Sequence, residues 1–148
     1  MCRLTVWLLL LGLTPGLPHS VLADTMSPVI TPCPQTPNCV CSLDTGRDSF
    51  IEPFSYPGNA TAAKTVLRQI IEAMPRTHIE RDADNYLHAT FTSRVFGFVD
   101  DVEFLVDEQR QLIEVRSASR KGKYDFGVNR RRVEKLRKLF AESLPVDR

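Results

Sequence analysis

Histidine is scarce in this chain, with three residues, and cysteine little commoner, with four. His19 falls in the N-terminal leader described below, so His78 and His88 are the imidazoles left to the domain. Neither has a context resembling a hydrolase elbow, which leaves little from which to build a Ser–His pair. His88, between Leu87 and Ala89, reads as a residue on a strand surface. Long apolar runs are missing too: residues 4–13 form the longest, about half of the roughly 20 residues a membrane span needs. Gly122 and Gly127 flank a turn-rich loop, but their spacing matches neither the P-loop nor the dinucleotide fingerprint. There is no internal repeat and no low-complexity segment. Nor is there an excess of one charge sign. The chain has 19 Lys and Arg against 18 Asp and Glu, and among these only Arg3 lies in residues 1–23, so the remainder is neutral. A general nucleic-acid binder, which needs a basic excess, is excluded on that ground.

The first residues are arranged as a secretory leader. Arg3 precedes the apolar run, Pro15, Gly16 and Pro18 break it, and Val21-Leu22-Ala23 offers small or β-branched residues to a signal peptidase. Residues 1–23 are expected to be a cleaved signal peptide, against an uncleaved anchor or a plastid lumen-targeting segment. The expected location is the periplasm or an equivalent lumen. In such an oxidising compartment two of Cys33, Cys39 and Cys41 should pair. The short gap with Pro34 and Pro37 favours Cys33–Cys39, and Cys33–Cys41 is the alternative. A metal would need a fourth ligand, and no histidine lies near. Val29-Ile30-Thr31-Pro32 does not continue the leader's apolar run, which argues against a lipid anchor on Cys33.

Residues 24–58 hold most of the chain's ten prolines and show no sustained periodicity. They read as an extended, irregular Cys/Pro-rich arm, with Phe50, Ile51, Phe54 and Tyr56 packed on the fold. Residues 59–148 form the domain proper. Ala63, Val66, Leu67, Ile70 and Met74 recur at helical spacing and predict a helix over 60–74, capped by Asn59 and stopped by Pro75. Strands are predicted over 77–81, 86–96, 99–107 and 111–119, and a last helix over 129–144, ended by Pro145. Short connections require an antiparallel meander. The expected fold is therefore α+β: a four-stranded antiparallel meander with two helices on one face, preceded by the irregular arm. Alternation places Asp101, Glu103, Glu114 and Arg116 on the face away from the helices, with His88 or Arg94 beside them.

Charge is segregated within this neutral chain. Residues 100–114 hold six acids against Arg110, while residues 116–138 hold ten Lys and Arg against Asp125 and Glu134. Arg130, Arg131 and Arg132 open the last helix, where cations oppose the macrodipole at about 0.3–1 kcal/mol each. They need a partner. Asp100 and Asp101 are the internal candidates, since arginine–carboxylate pairs can be bidentate; the alternatives are a bound anion held with the helix-start amides and a protein surface. Ser117 and Ser119 alternate onto the apolar side, as small residues bonded to backbone beneath a helix. Asp101 and Glu103 share a face and have the chemistry for a hard cation or acid–base work, but the neighbouring arginines favour neutralisation without metal.

These residues resemble a known family. Cys33-Pro34, Pro37-Asn38-Cys39-Val40, Phe98-Val99-Asp100-Asp101-Val102-Glu103-Phe104 and Arg116-Ser117-Ala118-Ser119-Arg120 carry the likeness. Gly122, Tyr124-Asp125-Phe126-Gly127-Val128-Asn129-Arg130 and Arg132 complete it. The chain from about Cys33 to Phe140 is similar to the family catalogued as domain of unknown function 1499, found among exported or membrane-associated bacterial proteins and plant plastid proteins. Cys41 stands where the family pattern has Ser, which supports Cys33–Cys39 as the pair. The resemblance supports the placement of the site and supplies no reaction.

The functional expectation is a non-catalytic exported module. It would bind a small anion or an envelope or lumen protein, without cofactor, metal or nucleic acid, as a protein peripheral to a membrane at most. The candidate binding residues are Asp100, Asp101, Glu103, Arg116, Ser117, Ser119, Arg120, Asp125, Asn129, Arg130 and Arg132. The alternative is a hydrolase or transferase with Asp101 and Glu103 as acid and base and the arginines holding an anionic substrate. A third reading is a scaffold in which the arm makes the contacts, removable without unfolding the domain. A catalytic carboxylate must reach an open cleft, whereas a structural one is closed by arginine.

Overall fold

The structure, a computed structural model, describes residues 28–144; the expected leader over residues 1–23 and the stop at Pro145 lie outside the described residues. The elements in chain order are β1 (Cys39–Cys41), β2 (Phe54–Ser55), α1 (Ala60–Ala73), β3 (Thr77–Ala83), β4 (Tyr86–Thr92), β5 (Val99–Asp107), β6 (Leu112–Ser119) and α2 (Val128–Ser143).

Helix α1 starts where the Asn59 side chain accepts the Ala62 amide at 2.9 Å. This satisfies one of the donors that a helix start leaves without a partner. Ala63, Leu67 and Ile71 make its buried stripe. Pro75 disfavours helical backbone in the residue before it, and Met74 is extended. The Thr77 hydroxyl lies 2.8 and 2.9 Å from the carbonyls of Ile71 and Met74, and serves the helix end.

The α+β class is as expected, but the sheet is larger than a four-stranded meander. Strands β3 to β6 do follow one another antiparallel, and the arm adds β1 and β2, both antiparallel to β6, to give six strands. The reason lies in the edge. Without the arm, β6 would present a row of unpaired N–H and C=O groups. Strand β4 also stops at Thr92, short of the Phe96 expected. There the Ser93 amide donates to the Phe98 carbonyl at 2.8 Å and the Phe98 amide to Ser93 Oγ at 2.9 Å. Gly97, with φ +63°, completes the tip.

Register decides what each face carries. Val102 stands opposite Ser117, Phe104 opposite Val115 and Val106 opposite Ile113. These side chains lie under both helices with Leu87, Ala89, Val133 and Leu136 in the main core. Phe54 from the arm packs on Phe104 of the sheet and Phe140 of α2, at ring-centroid separations of 5.9 and 5.7 Å. Ile51, Phe54 and Tyr56 are buried as the sequence reading had it, while Phe50 is half-buried. The opposite face has a second, smaller core in which the arm covers the sheet: Ile30, Cys33, Cys39 and Cys41 pack on Tyr86 and Ala118. Cys33 and Cys39 form the disulfide, with Cα atoms 5.8 Å apart, and Cys41 is a buried free thiol.

Candidate functional site

The sheet divides the candidate residues into two groups that never share a surface. Asp100, Ser117 and Ser119 point toward the helices, whereas Asp101, Glu103 and Arg116 stand on the other side, because adjacent strand residues alternate.

On the helix side the network centres on Asn129, which is fully buried in the first turn of α2. Its Oδ1 accepts from the Ser117 hydroxyl and from Arg132 Nη1, both at 2.6 Å. Its Nδ2 donates to the Asn38 carbonyl at 3.0 Å, to Ser119 Oγ at 3.1 Å and to Asp125 Oδ2 at 2.9 Å. Arg132 Nη2 closes on Asp100 Oδ2, and its guanidinium lies 5.0 Å from the Phe91 ring centroid. Five segments of chain thus meet in one polar knot: the arm, β5, β6, the loop after β6 and α2. The two serines are where alternation put them, but they bond to side chains rather than to backbone. The signal available in sequence was Asn129 itself, an amide at a helix start where a buried group with both donors and acceptor can serve several partners. Asn38 is a partner that no sequence motif singles out for the site; its Nδ2 donates to the Gly122 carbonyl at 2.8 Å.

Asp125 occupies the helix start. Its carboxylate accepts the amides of Gly127 at 2.9 Å and Asn129 at 2.8 Å. An internal anion therefore already stands where a bound phosphate would bind helix-start amides. The three arginines part company. Arg132 meets Asp100, Arg131 donates to the Phe126 carbonyl at 2.8 Å, and Arg130 reaches back to the Asp48 carbonyl of the arm at 2.7 Å. Arg130, Arg47 and Pro34 help to line a cleft of about 340 Å³ between the arm and the start of α2, and Asp48 and Asp125 stand on its wall.

On the opposite face Asp101 is held by three nitrogens. Arg120 Nε donates to Oδ2 and Nη2 to Oδ1, each at 2.8 Å, and His88 Nε2 lies 2.8 Å from Oδ1. The Arg120 pairing holds the Asp101 carboxyl below its ordinary value against the opposing effect of burial, with His88 assisting. Glu103 takes the Tyr86 hydroxyl on Oε1 at 2.7 Å and Arg116 Nη1 on Oε2 at 2.9 Å. Burial, then the hydrogen bond to Glu103, pushes the Tyr86 hydroxyl well above its ordinary range, so it stays protonated. Glu114 is bonded to Ser42 and Arg110, both at 2.6 Å. Arg94, the alternative neighbour in the sequence reading, belongs to the exposed tip between β4 and β5.

The chemistry available to these groups is limited. A carboxylate held down by a bidentate arginine is a weak base at neutral pH. His78 and His88 stand opposite Thr90 and Glu103, on the face away from Ser117 and Ser119. A Ser–His pair cannot form through a sheet. Among the described residues no group of three His, Cys, Asp or Glu side chains is placed to hold a metal ion, and no helix is long and apolar enough to cross a membrane.

The comparisons with known proteins agree with the sequence motifs. The model of the family described as Protein of unknown function (DUF1499) matches residues 29–140. No curated protein and no solved structure matches the chain. The matched span runs from the arm, through the disulfide, the Asn129 knot and the Asp101–Glu103 face, to Phe140 of α2. The chain therefore belongs to the DUF1499 family of proteins of unknown function.

Proposed function

We propose that this domain is a non-catalytic exported module that acts by binding. One observation carries the reading: Asp101 and Glu103, the two carboxylates that share a face and were the candidates for acid–base work, are closed by cationic, imidazole or hydroxyl partners. Asp101 is engaged by Arg120 and His88, and Glu103 by Arg116 and Tyr86. The hydrolase or transferase alternative needs one of these groups open to a substrate.

The small-anion reading narrows to Arg130. It has no carboxylate within ion-pair distance among the described residues, whereas Arg132 has Asp100. It also lines the cleft of about 340 Å³ beside the start of α2, as does Arg47. The test is the melting temperature of the protein with inorganic phosphate, sulfate and simple carboxylates, in wild type and Arg130→Ala. An anion at 100 times its dissociation constant adds about 2.7 kcal/mol of stability. A shift in wild type that vanishes in Arg130→Ala supports anion binding. No shift with any anion transfers the role to a macromolecular partner. A turnover lost in Glu103→Gln would overturn the non-catalytic reading altogether.

A further inference from the structure

The helix-side and opposite-face networks account for most of the polar candidates, but one end of the molecule belongs to neither. Strand pairing brings two loops together there. Asp100 of β5 stands opposite Ser119 of β6, and the Arg120 amide donates to the Val99 carbonyl at 3.0 Å. The tip joining β4 to β5 and the loop joining β6 to α2 therefore leave the sheet side by side. From these two loops and the first residue of α2, six large apolar side chains stand in solvent: Val95, Phe96, Phe98, Tyr124, Phe126 and Val128. Phe96 and Phe126 are 75% and 77% exposed. The rings associate only within their own loops, Phe96 on Phe98 at 5.6 Å and Tyr124 on Phe126 at 5.0 Å.

Scattered exposed apolar residues need no explanation, but a concentration of them at one end does. Its charge is as one-sided as its polarity. Arg94, Lys121, Lys123 and Arg131 are exposed in or beside the two loops, and none has a carboxylate partner among the described residues. The one acid of these loops, Asp125, is turned inward onto the amides of Gly127 and Asn129. Aromatic rings seated in a bilayer's interfacial zone, with lysine and arginine at headgroup level, are the arrangement an anionic lipid surface favours.

We propose that this end, built on Phe96, Phe98, Tyr124 and Phe126 with Lys121 and Lys123 around them, docks onto a bilayer bearing anionic lipid headgroups. The rings enter the interface, and the lysines and Arg94 meet the headgroups. This goes beyond the anion-binding reading, which concerns the cleft at Arg130.

The test places a local probe in the full chain. The only tryptophan is Trp7, so Trp7→Phe is combined with Phe126→Trp, and separately with Leu43→Trp, an exposed position on the arm. Each protein is mixed with vesicles of phosphatidylcholine alone or of phosphatidylcholine with phosphatidylglycerol. The expected result is a blue shift for the Phe126→Trp probe, with quenching by brominated lipid, on the anionic vesicles only. The shift should fall with added salt and be lost in Lys121→Glu/Lys123→Glu, while the Leu43→Trp probe stays unchanged. Emission at Phe126→Trp that remains that of a water-exposed indole on every vesicle overturns the proposal and leaves a protein as the occupant of this end. Equal shifts at both probe positions overturn it as well, since attachment is then not through these loops.

Discussion

Asn129 shows how much of this fold rests on single side chains. Substituting Ala removes an amide that serves Ser117, Ser119, Asn38, Asp125 and Arg132 at once. Stranded buried polar groups cost about 1–3 kcal/mol each, so Asn129→Ala should lower stability by about 3 kcal/mol in denaturant titration. A loss below about 1 kcal/mol, the scale of an ordinary surface change, would show that the knot rearranges around the gap. Asp101 makes a different prediction, one about pH. Its folded-state carboxyl is held down by Arg120, so the stability it contributes is complete above the unfolded value of about 3.9 and is lost as pH falls through the lower folded value. Asp101→Asn should therefore melt below wild type at neutral pH, and the gap should narrow below about pH 4. A gap that stays constant across that range contradicts the pairing. Burial raises the thiol pKa of Cys41 above its ordinary value. Native protein should react with a maleimide slowly at this cysteine, and unfolded protein fast; rapid native labelling would mean that the second core opens.

At the scale of elements the arm matters most. As an extended wrapping, the role the scaffold hypothesis gives it, it would be removable without loss of the domain. Its strands β1 and β2 instead cover the β6 edge, and Val40, Ile51, Phe54 and Tyr56 enter the main core. Deleting residues 28–58 should abolish cooperative unfolding rather than leave a folded domain. Phe54→Ala alone should cost about 3–5 kcal/mol, read as a shift of the urea midpoint at unchanged slope. The disulfide closes only a small loop, with a sequence separation of 6. Chain-entropy reasoning gives it about 2 kcal/mol, so Cys33→Ser/Cys39→Ser should remain folded and melt lower. The arm's strands escaped a reading by periodicity because three residues and two residues are too short to show alternation. The longer elements, α1, β5 and α2, were legible within a residue or two, since each carries its apolar period over several turns or pleats.

Across the whole molecule the decisive fact is that a sheet has two sides. In the sequence, Asp100 and Asp101 are neighbours and the arginines follow closely, so acids and cations read as one constellation. Folding sends Asp100 to Arg132 under the helices and Asp101 to Arg120 on the far face. The Ser–His distance, the closing of each carboxylate and the side-by-side placement of two aromatic loops likewise depend on which strands become neighbours. The amino-acid sequence by itself determined the α+β class, the Asn59 cap and the Pro75 stop of α1, and the family, and it favoured Cys33–Cys39 over Cys33–Cys41, because these follow from local periodicity, local backbone chemistry or contiguous motifs. Only the tertiary structure decided that the arm completes the sheet, that the charged residues form two networks, and that Phe96 and Phe126 share one exposed end. Those are matters of long-range pairing, and no local pattern of residues specifies which distant segment will satisfy an open edge or a buried charge.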